Sequence, residues 1–395
     1  MAEPIRILTL NSISGVGLKR LPSDRYTVGS HVENPDAILV RSQDMHAMNI
    51  GTSVKAIGRA GAGVNNIPVE KMSKRGVPVF NAPGGNANAV KELVIAGMLI
   101  AARNLTPALK FVDGLKGDDK TLDKTVEDGK KQFAGLELPH HTLGVIGLGK
   151  VGSLVADTAI KLGMDVLGFD PEITVDAAWS LPSQVKKAHS IEEVLKAADF
   201  VTLHVPLLPV TRKMVNAGRI KVMKKGAILL NFSRDGIVDN DAMLEALAAK
   251  HLRSYVCDFP AKKLIGHPQV VALPHLGAST REAEDNCAVM VVDQVRNFLE
   301  HGNILNAVNF PDVVMAREAP YRMGISNANV PNMVGQISTA MAKAGLNIHN
   351  MLNKSKGEMA YTLVDVDSKV PAKTVEHIGR IAGVLSVRYL PDEGK

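Results

Sequence analysis

The sequence predicts an α/β protein with two parallel-sheet domains followed by a βαββαβ ferredoxin-like module. Three observations predict it. From residue 5 to residue 273, short Val- and Ile-rich runs alternate with helical stretches, as in strands covered on both faces by helices. A strand, a glycine turn and a helix follow one another at 142–162. After residue 320 the order becomes strand, helix, strand, strand, helix, strand. At 395 residues and 46% hydrophobic, the chain is too long for one domain and apolar enough to fill several cores.

In the first ninety residues, Ile5–Thr9, Ala37–Val40, Val54–Arg59 and Val77–Asn81 read as strands. Their exits include Arg41-Ser42-Gln43, Gly61-Ala62-Gly63 and Asn81-Ala82-Pro83-Gly84-Gly85-Asn86. Open α/β sheets bind ligands outside the carboxyl ends of their strands, so these turns are the expected substrate face. A helix is expected at Ala87–Arg103, then an exposed, charge-dense excursion at Lys116–Lys131. Strands follow at Thr142–Ile146, Asp165–Phe169, Phe200–Leu203, Ala227–Asn231, Ser254–Cys257 and Val270–Leu273. A long helix is expected at Thr280–His301, and Asn306–Pro311 reads as a strand returning to the first domain. The tail reads as Arg322–Ala328, Val334–Ala344, Ile348–Lys354, Met359–Asp367, Ala372–Ile381 and Leu385–Tyr389. The expected domains are therefore 1–92 with 302–315 for substrate, 93–301 for a nucleotide, and 318–395 as a regulatory module.

The strand Thr142–Ile146 runs into Gly147-x-Gly149-x-x-Gly152, and Asp170 closes the next apolar run. The first glycine permits the tight turn, the second a close backbone approach to a pyrophosphate, and the third the packing of helix on strand. Lys150 and Val151 open a helix whose free N–H groups face the phosphates. Asp170 stands where a carboxylate accepts hydrogen bonds from a ribose, and no Lys or Arg follows it before Lys186. A 2′-phosphate meets repulsion there, so the domain is read as Rossmann-like and its cofactor as NAD.

The same strand ends deliver His204-Val205-Pro206, Ser233-Arg234, Asp258 and Pro274-His275 to one rim. Oxidation of a 2-hydroxy acid needs a cation for the carboxylate and carbonyl oxygen, and a group that takes the hydroxyl proton. Arg234 suits the first task through its planar fork. His275 suits the second, because an imidazole ordinarily titrates near neutrality, at about 6.5. His204 is read as part of the cofactor wall and Cys257 as a buried small hydrophobe; no metal site is expected.

Asn81–Asn86, the glycine fingerprint, Leu203–Pro206, Asn231–Asp239 and Pro274–Thr280 resemble the D-isomer-specific 2-hydroxyacid dehydrogenases across nearly the whole chain. The tail resembles an ACT domain. Together these resemblances imply NAD-dependent oxidation of 3-phosphoglycerate to 3-phosphohydroxypyruvate, with Arg234 orienting the substrate and His275 as acid and base. They assign Arg41, Ser42, Gly84, Gly85 and Asn86 to substrate, and Asp258, Ser233 and Gly277 to the cofactor. Lys130 lies where the family often places an Arg reaching a neighbouring subunit's substrate. Asn329 and Asn347 become candidate contacts for an L-serine effector, with helix capping and a dimerisation sheet as the alternative. A homodimer or homotetramer is implied. Two other readings stay open: another 2-hydroxy acid as substrate, or a non-catalytic NAD-sensing protein.

The sequence departs from the family pattern where Asp258-Phe-Pro-Ala-Lys262-Lys263 carries lysines in place of the glutamate that partners the histidine. Activity with a displaced pH optimum is the expectation. Glu282 or Glu284 could substitute, although an acid at a helix N-terminus is also favoured by the dipole. Asn65 and Lys91 depart too, each from the residue usual at its position.

The net charge of +6 comes from scattered lysines without interleaved aromatics, so no nucleic-acid groove is expected and a small anionic substrate fits. Two cysteines exclude a disulfide framework. The apolar stretch Leu93–Ala102 falls short of the ~20 residues of a membrane helix, so no membrane partner and a cytoplasmic location are expected.

Overall fold

The structure is a computed structural model that describes residues 3–391. The outermost parts of the expected terminal domains, 1–2 and 392–395, lie outside the described residues. The chain divides into two compact units, Met1–Asn86 with Arg281–Lys395, and Ala87–Thr280.

In the first unit, β1 (Ile5–Leu10), β2 (Tyr26–Gly29), β3 (Ala37–Val40), β4 (Ala56–Arg59) and β5 (Val79–Phe80) form a parallel sheet in the order β2-β1-β3-β4-β5. This is the flavodoxin-like order, whose direction reverses between β1 and β3. Strand β3 is buried along its whole length, as Ala-Ile-Leu-Val requires of a central strand. Strand β2, not among the expected strands, is short and half-buried at the sheet edge.

Helix Arg281–His301 packs on this sheet. Ala288, Val291, Val292, Val295, Phe298 and Leu299 recur at helical spacing and share an apolar core with Ile7, Leu39 and Phe80. This helix, expected within the nucleotide domain, buries its apolar stripe in the first unit instead. The expected strand Asn306–Pro311 is not a strand: Ala307 makes one antiparallel bridge with Phe80, and no ladder continues from it. Pro311 has no backbone N–H to extend one.

In the second unit, β6 (Thr142–Ile146), β7 (Asp165–Phe169), β8 (Lys186–Lys187), β9 (Phe200–Leu203), β10 (Ile228–Asn231), β11 (Ser254–Cys257) and β12 (Val270–Ala272) form a parallel sheet. Its order, β12-β11-β10-β9-β6-β7-β8, is doubly wound and reverses between β6 and β9. Apolar cores cover both faces, one around Leu203, Leu229 and Cys257, the other around Val145, Leu230 and Val256. The segment expected as an exposed excursion is helical over Asp119–Gly129, with no buried residue.

The tail is a four-stranded antiparallel sheet of β13 (Tyr321–Ala328), β14 (Ile348–Lys356), β15 (Met359–Val366) and β16 (Val384–Pro391), in the order β14-β15-β13-β16. Helices Met333–Lys343 and Ala372–Gly379 cover one face through Met333, Ile337, Met341 and Ile378. The sequence sets this module off as a separate domain. In the structure it lies in the same compact unit as the first sheet, with Tyr361 and Leu363 in the core of Phe80 and Phe298.

Among the described residues no single helix is long and apolar enough to cross a membrane.

Candidate functional site

The second unit carries the glycine turn. Gly147 has φ +94°, and a Cβ there would lie 2.5 Å from the carbonyl oxygen of His204. A Cβ on Gly152 would lie 1.9 Å from the Gly147 carbonyl oxygen, so only glycine lets the helix start so close to the strand. Gly149, by contrast, faces open space, with nothing within 4 Å of its would-be Cβ. Helix Lys150–Lys161 begins there without a side-chain cap. Lys150 and Val151 open it, so free N–H groups border empty room, which is the donor set a pyrophosphate requires.

Asp170 follows β7 and ties this turn together. Its carboxylate accepts from the Leu148 N–H at 2.8 Å and the Glu172 N–H at 3.0 Å. It also lines a cavity of about 550 Å³ with Leu148, Ile173, Leu181, Val185 and His189. These features fit a dinucleotide: a glycine cradle, a helix N-terminus and a carboxylate on adjoining strand ends.

The ends of β9, β10, β11 and β12 in the same sheet carry the other expected residues, with His275 following β12. After β9, His204 Nε2 lies 2.9 Å from Thr202 Oγ1, and burial pushes its pKa down to about 4. The ring is therefore neutral at pH 7, as suits a wall. Val205 and Pro206 continue from it, and the Val205 carbonyl accepts a hydrogen bond from Ser233 Oγ. After β10, buried Asn231 organises the turn: its Oδ1 accepts from the Ser233 N–H, and its Nδ2 donates to the Arg234 carbonyl at 3.0 Å. Arg234 itself is exposed, and among the described residues its guanidinium bonds only to the neighbouring Ser233 carbonyl, at 2.6 Å. The role of Asn231 goes beyond the sequence expectation; a polar residue ending an apolar strand before a turn is the signal that points to it.

After β11, Asp258 is 1% exposed and accepts from the Leu276 N–H at 2.7 Å and the Gly277 N–H at 2.8 Å. This clamp explains the backbone of His275, a non-glycine residue at φ +58°. A left-handed residue costs roughly 1–2 kcal/mol, and two charge-assisted hydrogen bonds immediately after it offset that cost. The His275 ring is exposed and lies against Phe259, with centroids 5.1 Å apart. Nothing in the spacing of the sequence marks Phe259 for this contact. No carboxylate pairs with His275 among the described residues, and Lys263 instead reaches Asp241. Cys257 is fully buried, and desolvation pushes its thiol pKa up. Among the described residues no cluster of three or more His, Cys, Asp or Glu could hold a metal ion.

In the first unit, the substrate candidates occupy two loops. Arg41 and Ser42 follow β3; the Arg41 carbonyl accepts from Arg59 Nε at 3.0 Å, and its guanidinium meets Glu284 at 2.7 Å. Glu284 is thus committed to Arg41, and it belongs to this unit, not to the one that carries His275. Gly84, Gly85 and Asn86 follow β5, where the Gly85 N–H donates to the Ala82 carbonyl at 3.3 Å. Asn81 anchors that loop through Nδ2 to the Ala62 carbonyl at 2.6 Å.

The remaining candidates lie elsewhere. Lys130 follows the exposed helix and pairs with Glu127. Asn329 Nδ2 donates to the Gly357 carbonyl at 3.0 Å, and Asn347 Nδ2 to Asp367 at 2.6 Å.

Residues 95–277 match the NAD-binding domain of the D-isomer-specific 2-hydroxyacid dehydrogenases. The chain is 34% identical over 347 residues to a D-3-phosphoglycerate dehydrogenase of Methanocaldococcus jannaschii, covering 85% of this chain and 62% of that protein. To the enzyme of the same name from Haemophilus influenzae it is 32% identical over 348 residues, covering 85% and 81%. A crystal structure of a Thermus thermophilus protein superposes with a TM-score of 0.64 at 30% identity, over 77% of this chain and 99% of that one. The chain spans 62% of the length of the Methanocaldococcus protein and only about half that of relatives from Bacillus subtilis and Synechocystis, 54% and 51%. The chain belongs to the D-isomer-specific 2-hydroxyacid dehydrogenase family.

Proposed function

We propose that the chain is an NAD-dependent dehydrogenase that oxidises 3-phospho-D-glycerate to 3-phosphohydroxypyruvate, an opening step towards L-serine. The observation that carries this reading is the pairing of a dinucleotide cradle with an exposed Arg234 after β10 and an exposed His275 after β12, two strands of one parallel sheet separated by β11. Bound NAD supplies the acceptor for the hydride that leaves the substrate carbon. Arg234 orients the carboxylate and polarises the oxygen that becomes the carbonyl. Because its guanidinium has one backbone carbonyl as partner among the described residues, most of its donors remain available. His275 takes the hydroxyl proton, and in the reverse direction returns it. Phe259 and the Asp258 clamp hold the imidazole in place.

Ser233, His204, Val205, Pro206, Asp258 and Gly277 are assigned to the cofactor, with Asp170 on its ribose. Arg41, Ser42, Gly84, Gly85 and Asn86 are assigned to the anionic substrate. The test compares 3-phosphoglycerate with glycerate, lactate and 2-hydroxyglutarate, following NADH formation with a product trap. Turnover of the phosphorylated acid in preference to the others is expected; a preference for an unphosphorylated acid would move the substrate assignment elsewhere in the family.

The enzyme is placed in the cytoplasm as a homodimer or homotetramer, with neither nucleic acid nor membrane as partner. Asn329 and Asn347 are assigned to an L-serine effector. Initial rates that fall on serine titration support that assignment, and a flat response rejects it.

A further inference from the structure

Strand β5 is only two residues long, yet it delivers the loop Asn81–Asn86. Its inner edge pairs with β4 through Val79 and Phe80. Its outer edge is covered not by another strand but by residues 306–309. Ala307 bridges Phe80, the Val308 N–H donates to the Val79 carbonyl at 2.9 Å, and Asn309 Oδ1 accepts from the Val79 N–H at 2.8 Å. The Asn81 N–H reaches the Asn306 carbonyl at 3.4 Å. The segment doing this has no helix or strand of its own between His301 and Tyr321.

The tail sheet holds that segment. Tyr361 Oη donates to the Gly302 carbonyl at 2.8 Å, and Lys356 Nζ to the Ala307 carbonyl at 3.0 Å. Arg322 is fully buried and uses all five guanidinium donors. Two go to Asp365, at 2.6 and 2.8 Å, and three to the carbonyls of His301, Met315 and Ala316. Tyr361 and Leu363 also pack into the core that contains Phe80 and Phe310. The hairpin turn bearing Lys356 is itself fixed by Asn329, whose N–H donates to the Glu358 carbonyl at 2.8 Å and whose side chain donates to the Gly357 carbonyl.

We propose that the tail sheet is a brace for the substrate loop, with Tyr361 and Lys356 as positioning residues acting through 302–309 and β5 on Gly84 and Gly85. A two-residue strand with one partner cannot by itself fix the loop it carries. The proposal rests on the reading that this loop binds the substrate.

The test uses the full chain with Tyr361→Phe and Lys356→Met. Each removes one hydrogen bond, so each should raise KM for 3-phosphoglycerate by about 2- to 10-fold while KM for NAD stays unchanged. Lys356→Arg should restore the original value. Hydrogen exchange at the amides of residues 81–86 should quicken in both variants, a readout that needs no turnover. If the wild-type chain does not oxidise the acid, the functional reading falls, and exchange alone decides the brace. Folded variants with unchanged exchange at 81–86 overturn it, and so does a lowered thermal midpoint without faster exchange there.

Discussion

The nucleotide turn and the substrate loop both follow parallel strands, but they are held in opposite ways. Gly147, Leu148, Gly152 and Asp170 lie within 24 residues, and the close approach of Gly152 to the Gly147 carbonyl and the Leu148 N–H on the Asp170 carboxylate tie them together. The loop Asn81–Asn86 follows a two-residue strand whose outer edge is closed by residues more than 200 positions away. A site made of neighbours in sequence can be read from sequence. A site steadied by distant chain cannot.

The largest effect tests whether the nucleotide turn is independent of the chemistry beside it. His275→Gln should lower kcat by about 10²- to 10⁴-fold, the usual worth of a general acid–base group, while NAD affinity by calorimetry stays as it was. Lost NAD binding would show that the turn is not self-contained.

Gly152→Ala examines the turn directly. The added Cβ must displace the Gly147 carbonyl, an overpacking cost of roughly 1–3 kcal/mol, so NAD affinity should fall by about 10- to 100-fold. Amide exchange at residues 81–86 should not respond, since the strand that carries that loop is steadied by residues 306–309.

A smaller effect comes from His204. Its folded pKa of about 4 lies below the ordinary value near 6.5, so the fold favours the neutral ring. Stability should be full above pH ~6.5 and decline as pH falls towards 4, by about 1–2 kcal/mol once partial exposure is discounted. Thermal midpoints recorded across that range should decline less steeply in His204→Asn. Parallel curves would refute the assignment.

The smallest change concerns the missing carboxylate. Lys262→Glu or Lys263→Glu should displace the pH–rate profile, by about one pH unit if the acid reaches His275. Superimposable profiles for both variants would show that position to be out of reach of the imidazole.

Much of the fold was legible because apolar runs buried on both faces leave little choice of partner. Strands β3, β6, β7, β9 and β11 occupy the residues expected of them. The strands passed over, Tyr26–Gly29 and Lys186–Lys187, are edge strands whose pairing depends on a neighbour more than on their own composition. Asn306–Pro311 carries strand-like residues but makes one bridge only. At the candidate site, the glycines and Asp170 announced themselves through spacing. Phe259 beside His275, and Glu284 beside Arg41, required tertiary contacts. The seam between tail and first sheet was hidden for the same reason: Arg322 and Asp365 lie 43 residues apart and read separately as ordinary charges.

The central claim is that Arg234, at the rim of a dinucleotide-binding sheet, activates a 2-hydroxy acid for oxidation. The most direct measurement is NADH formation from 3-phosphoglycerate, with the product trapped, by the wild-type chain and by Arg234→Ala. Steady turnover in the first and a loss on the order of 100-fold or more in the second are predicted. No NADH from the wild-type chain, or equal rates from the two, would contradict the account.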